Sequence, residues 1–179
     1  MPGADAPIFL IGFMASGKTT VGKLVAAKLG WAFEDLDALV TAAAAKSVSE
    51  IFASEGEAGF RRREREALAR VAGRARVVIA TGGGAACRED SLALMLSAGR
   101  VVTLAVSPAE AIRRTGAQSG RPLLDASDDP VEAARRLLGE RHPFYGRAHL
   151  RVETDGRRPS DVAASVVADL GLGVAQESQ

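Results

Sequence analysis

Gly12-Phe13-Met14-Ala15-Ser16-Gly17-Lys18-Thr19 fits the pattern G-x-x-x-x-G-K-[ST], and its flanks decide how the chain is read. Before it, Ile8-Phe9-Leu10-Ile11 reads as a buried strand. After it, Val21, Leu24, Val25 and Lys28 recur at helical spacing, and Gly30 supplies a stop. Four fixed positions match by chance in a chain of this size on the order of 1% of the time, with glycine near 7% of average usage. Strand, glycine-rich turn and helix start add the context that gives the match a mechanism. Loop N–H groups and the positive helix N-terminus cradle phosphate oxygens, Lys18 reaches the β- and γ-phosphates, and the Thr19 hydroxyl binds Mg²⁺. The chain is therefore read as a binder of a nucleoside triphosphate.

Working outward, short apolar runs near 7–11, 31–34, 76–81, 101–106 and 149–153 alternate with helical patterns. That alternation predicts an α/β fold with a parallel sheet covered on both faces. Helix starts are marked by the capping box Ser47-Val48-Ser49-Glu50 and by Ser107-Pro108 and Asp129-Pro130, while Gly56, Gly73 and Gly99 fall where helices should stop. With no internal repeat and no flexible linker, the 179 residues are expected to form one domain, with loose ends at 1–6 and 171–179. Residues 115–128 are polar and glycine-containing, and Arg121 precedes Pro122-Leu123-Leu124; this stretch is read as a mobile lid over phosphate.

Composition narrows the function classes. A net charge of +1 gives no general attraction for nucleic acid or anionic membrane, so a substrate anion must be held by local arginines. The first residues lack a basic segment and a long apolar run, and no stretch approaches the ~20 apolar residues of a membrane span. The single cysteine, Cys87, suits a reducing compartment. A cytoplasmic enzyme acting on small molecules, without a nucleic-acid or membrane partner and monomeric, is the simplest expectation. No cysteine and histidine set has zinc spacing.

Ligands of open α/β sheets gather at the carboxyl ends of the strands. There the second strand delivers Asp35-Leu36-Asp37; in extended geometry both carboxylates point to one side, one towards Mg²⁺ and one towards an acceptor hydroxyl. A helix cap is the competing use of either aspartate. The third strand delivers Gly82-Gly83-Gly84, whose backbone could approach a ligand and offer N–H donors. Ala80 stands where many phosphate-loop enzymes carry an acidic metal residue, which leaves metal support to Asp35 and water. In the charged run Phe60 to Glu66, Arg61 and Glu64 share one helix face, and Arg141 ends a later helix.

Gly12–Thr19, Phe33-Glu34-Asp35-Leu36-Asp37, Gly56-Glu57-Ala58-Gly59-Phe60-Arg61, Thr81-Gly82-Gly83-Gly84, Arg121-Pro122-Leu123-Leu124 and Arg141 through Tyr145 together resemble the shikimate kinase family. The resemblance implies a three-layer α/β/α phosphate-loop kinase with a five-stranded parallel sheet of order 2-3-1-4-5 and a mobile lid. It implies phosphorylation of the shikimate 3-hydroxyl by ATP with Mg²⁺, on the way to chorismate and the aromatic amino acids. Asp37 would bind ring hydroxyls and act as base, and Arg61 and Arg141 would clamp the substrate carboxylate. Glu64 would orient this pocket, Gly83 would donate its N–H to a substrate hydroxyl, and Gly82 and Gly84 would complete the contact. Gly12, Ala15, Ser16, Gly17, Lys18, Thr19 and Thr20 would enclose the ATP phosphates. Lys18 and Arg121 would stabilise the transferred phosphoryl group, Thr19 supported by Asp35 would hold Mg²⁺, and Arg114 and Arg157 would flank the adenine.

Two positions depart from the family pattern. Ala15 stands where the family usually has glycine, and a positive φ there would cost of order 1 kcal/mol. Glu34 adds a charge beside the aspartate pair. Two other functions stay open: a kinase for another polyol acid such as gluconate, and a domain of this kind that senses ligand without turnover. Retention of Lys18, Asp37 and Arg121 argues against the second.

Overall fold

The alternating apolar pattern of the strands becomes two separate cores in the computed structural model, which describes residues 2–115 and 129–172. Five strands form one sheet: β1 (Ile8–Ile11), β2 (Ala32–Asp35), β3 (Val77–Ala80), β4 (Arg100–Ala105) and β5 (Leu150–Glu153). Their order is β2-β3-β1-β4-β5 and every pairing is parallel. Each strand lies within a residue of its expected place, and the order is the one the resemblance implies.

Because side chains alternate across a strand, β1 sends Ile8 and Leu10 to one face and Phe9 and Ile11 to the other. The first pair packs with Val78, Val102, Leu104 and Val152 under α1 (Lys18–Leu29) and α7 (Pro159–Asp169). The second pair packs with Val77, Ile79 and Val101. Over that face lie α2 (Leu36–Ala44), α3 (Val48–Ala72), α4 (Glu89–Ala98), α5 (Pro108–Thr115) and α6 (Pro130–Tyr145). All of β1, β3 and β4 is buried, as expected for inner strands covered on both faces.

The marked helix starts form as read. Ser47 accepts from the Glu50 N–H while the Glu50 carboxylate accepts from the Ser47 N–H, and Asp129 caps α6 ahead of Pro130. Gly56 breaks α3 with φ 68°, ψ −176°, so the arginine-bearing half is a helix of its own orientation. At the amino end, the carbonyls of Ala4 and Asp5 accept from the Arg100 guanidinium and the Arg76 N–H. The 115–128 segment, apart from Thr115, and residues 173–179 lie outside the described residues, and Arg121 with them. Among the described residues no helix is long and apolar enough to cross a membrane.

Candidate active site

Register sets the floor of the site. Leu10 pairs with Ala80 and Val102, and Asp35 pairs with Ala80, so the ends of β1, β2 and β3 open on one edge of the sheet. A cleft of about 550 Å³ lies there, lined by Met14, Ala15, Gly17, Lys18, Thr19, Thr20, Asp35, Asp37, Thr81, Gly82, Gly83, Gly84 and Arg141. A second cavity of about 540 Å³ shares Ala15, Gly17 and Thr20 with it and adds Ser16, Glu110, Arg114, Thr154 and Arg157. The phosphate loop is the wall between the two, which the resemblance would make an acceptor side and a base side.

The loop needs unusual backbone at three places. Gly12 has φ 141°, and a Cβ there would lie 2.3 Å from the Leu104 carbonyl oxygen, so only glycine fits. Gly17 takes φ 91° as the N-cap of α1. Ala15 takes φ 56°, so the departure from glycine does carry the cost of a Cβ in the left-handed region. Its carbonyl accepts a hydrogen bond from Arg114 Nη1 at 3.2 Å. Lys18 Nζ donates to the carbonyls of Phe13 at 2.8 Å and Gly12 at 3.0 Å, which sets the ammonium beside the concave face of the loop.

The aspartate pair is arranged differently from the extended reading. Only Asp35 belongs to the strand; Asp37 lies in the first turn of α2. Asp35 takes the cap and also meets Thr19. Its Oδ1 caps α2, accepting from the N–H groups of Asp37 and Ala38, and its Oδ2 accepts from the Thr19 hydroxyl at 2.9 Å. The cap turns the chain, and the turn rather than strand alternation aims Asp37 into the cleft. Burial, then the charge of Asp35, raises the Asp37 carboxyl above its ordinary value, and Lys18 and Arg61 only partly offset this.

Glu64 is 3% exposed on the second half of α3. Its Oε2 accepts from Arg61 Nη1 at 2.8 Å, and its Oε1 is buried without a partner among the described residues. Burial raises its carboxyl too, against the pull of Arg61. For Arg61, burial is the largest influence and opposes the charge, but the hydrogen bonds and charges of Glu64 and Glu57 together outweigh it, so the guanidinium is held more firmly protonated than usual.

The three glycines gather these groups by leaving room for them. A Cβ on Gly82 would sit 2.9 Å from Glu64 Oε1 and 3.0 Å from Asp37 Oδ1, one on Gly83 would sit 3.3 Å from Arg141 Nη1, and one on Gly84 would sit 2.7 Å from Arg61 Nη2. Successive Cα atoms are about 3.8 Å apart, so two carboxylates and two guanidiniums converge along one short backbone run. Arg141 also lies 5.7 Å over the Phe13 ring and donates to the Gly83 carbonyl. Arg61 fronts a neighbouring groove as well, with Glu57 and Arg88.

On the base side Arg114 is fixed at its edge by Thr154, Ala15 and Glu110, and Arg157 by Glu153, Asp161 and Ser165. Glu34 pairs with Arg74 and takes no part in lining the cleft. Sequence reasoning gave no role to Tyr145, whose hydroxyl donates to the Gly83 carbonyl at 2.7 Å, or to Phe13 beneath Arg141. The only signal for Tyr145 was its place in the run that follows Arg141.

Among the described residues no cluster of three or more histidine, cysteine, aspartate or glutamate side chains could hold a metal alone. Thr19 Oγ1 beside Asp35 is nevertheless a hard-oxygen pair of the kind Mg²⁺ uses when waters and phosphates complete its shell.

Comparison with known proteins agrees with this geometry. The family model described as shikimate kinase matches residues 14–171. A shikimate kinase of Moorella thermoacetica is 46% identical, with 93% of each chain covered. The structure of Acinetobacter baumannii shikimate kinase in complex with shikimate superposes with a TM-score of 0.86 at 35% identity, covering 92% of each chain. A gluconokinase of Sinorhizobium meliloti shares the fold at TM-score 0.62 and 16% identity, over 95% of this chain and 94% of that one, which shows likeness of fold alone. With the family model spanning most of its length and relatives of this similarity, the chain belongs to the shikimate kinase family.

Proposed function

We propose that the protein transfers the γ-phosphoryl group of ATP to the 3-hydroxyl of shikimate, giving shikimate 3-phosphate and ADP, a step towards chorismate. The observation that carries this reading is the convergence of Asp37, Glu64, Arg61 and Arg141 on Gly82–Gly84, beside the phosphate loop. Two guanidiniums suit a planar carboxylate, and a carboxylate base beside Lys18 suits a hydroxyl that must meet a phosphoryl group.

In this reading Arg61 and Arg141 hold the acid, which leaves the ring hydroxyls against Asp37 and the Gly83 N–H. Asp37 orients the 3-hydroxyl and takes its proton as the oxygen bonds to γ-phosphorus and the bond to the β–γ bridging oxygen breaks. A carboxyl raised towards working pH accepts that proton more readily than an ordinary aspartate. Lys18 and the N–H groups at the start of α1 stabilise charge on the transferred group, with Arg121 assigned the same task by family resemblance. Thr19 would hold Mg²⁺, with Asp35 supporting it, and the ion when bound neutralises charge on the β- and γ-oxygens. Arg114 and Arg157 would flank the adenine, and the enzyme would work as a cytoplasmic monomer.

Release of ADP from ATP–Mg²⁺, followed with shikimate, gluconate and quinate in parallel, tests the reading. Stimulation by shikimate alone supports it, turnover with another acid moves the acceptor, and binding of shikimate without turnover favours a sensor.

A further inference from the structure

The carbonyl oxygen of Gly83 collects three donors. Tyr145 Oη donates at 2.7 Å and Arg141 Nη1 at 3.2 Å, while the Cys87 Sγ lies at 3.7 Å. A carbonyl has two lone pairs, so the two shorter bonds dominate, and the tyrosine's is the shorter.

Tyr145 is itself held in place. It closes α6 at 3% exposure, and its main-chain carbonyl accepts from Thr103 Oγ1 of β4 at 2.7 Å. Burial pushes its phenol up from the usual value, so it remains a donor at any working pH. The glycines it meets have no side chains to restrict their dihedrals, and glycine is the residue with the widest choice of backbone conformation. The turn's own bonds hold the carbonyls on either side, Gly82 accepting from the Ala85 N–H and Gly84 from the Cys87 N–H, while the Gly83 carbonyl between them is held by side chains. A trans peptide is planar with N–H opposite C=O, so an oxygen fixed on Tyr145 directs the Gly84 N–H the opposite way.

We propose that Tyr145 is a positioning residue for acceptor binding: its hydroxyl sets the Gly83–Gly84 peptide, and with it the Arg141 guanidinium that shares the same oxygen. This rests on the reading of the cleft as a shikimate site. Tyr145 touches no reacting atom; it acts through the glycine backbone and Arg141.

Tyr145→Phe removes the hydroxyl and keeps the ring. Initial rates with shikimate and ATP varied independently should show the KM for shikimate raised roughly 3- to 10-fold, as expected for one lost hydrogen bond. The KM for ATP should stay unchanged. Val166→Ala, which opens space in the core on the opposite face of the sheet, provides a variant of lowered Tm whose KM for shikimate should not move. Parallel rises in both KM values for Tyr145→Phe, an equal shikimate shift in Val166→Ala, or an unaltered shikimate KM in folded Tyr145→Phe would each overturn the proposal. Wild-type protein that gives no turnover with shikimate would overturn the underlying reading together with the proposal. Wild-type turnover beside an unaffected Tyr145→Phe would overturn the proposal alone.

Discussion

On the base side of the phosphate loop, Glu110 accepts from both Arg113 and Arg114, and those bonds hold its carboxyl down to about 2. On the acceptor side, Glu64 is buried with one oxygen unpartnered among the described residues, and Asp37 and Glu64 are both raised by burial. The first region consists of charges already satisfied within the protein. In the second, charges are held at a cost that a bound hydroxyl-rich acid can relieve. The difference teaches where each ligand gets its recognition. In the proposed reading a nucleotide would be gripped by backbone N–H groups and fixed arginine edges, whereas the acceptor would meet carboxylates raised by burial.

The largest effect should come from Asp37→Asn. If the aspartate is the base, kcat falls by about 10²-fold or more while ATP binding persists; a near-normal kcat in an ADP-release assay breaks that role. The pH dependence sharpens it. With its folded pKa raised, Asp37 gives up stability as pH rises from its unfolded value through that pKa. The asparagine variant should therefore melt higher than wild type above that folded pKa, with the gain shrinking as pH falls through it and gone below about 4, the unfolded value. Melting curves that show no such crossover would mean the buried charge is better compensated than the contrast between the two sides requires. The wild-type acid limb of kcat/KM should likewise lie above the ordinary carboxylate range.

Next in size is Arg61→Ala. It removes a clamp for the acid and leaves Glu64 buried without its guanidinium, so shikimate affinity should drop at least about 30-fold by titration calorimetry, from a loss of roughly 2 kcal/mol or more. ATP affinity should hold. Equal losses for both ligands would erase the division between acceptor side and base side.

The strands, the phosphate loop and the capping box were legible because each depends on neighbours within a few residues. Gly56 as a break and Asp129 as a cap belong with them. The aspartate pair was half legible: which residues mattered could be read, but alternation was the wrong geometry because Asp35 ends its strand by capping the next helix. The glycine run was legible as a ligand-facing element, yet its main service was hidden. Glu64, Arg61 and Arg141 reach it from distant sequence, and no local pattern says which side chain needs the space that each missing Cβ leaves. Tyr145 was hidden for the same reason, since its hydroxyl bond to Gly83 spans 62 residues.

The smallest effect probes the wall itself. Ala15 sits at φ 56° with its carbonyl on Arg114, so the base side of the wall depends on one strained residue. Glycine would relieve a left-handed cost of about 1–2 kcal/mol, but it would return part of that as freedom in the unfolded chain, on the order of 0.4–1 kcal/mol. The balance predicts that Ala15→Gly is more stable by up to about 1 kcal/mol, read as a small rise in midpoint by denaturant titration. ATP should bind up to about 5-fold tighter if the strain is felt in the open loop, because the phosphate-bound loop is then reached at lower cost. Shikimate affinity measured alone should stay put, since no acceptor contact passes through Ala15. A shikimate change as large as the ATP change would show that the loop couples the two sides instead of dividing them.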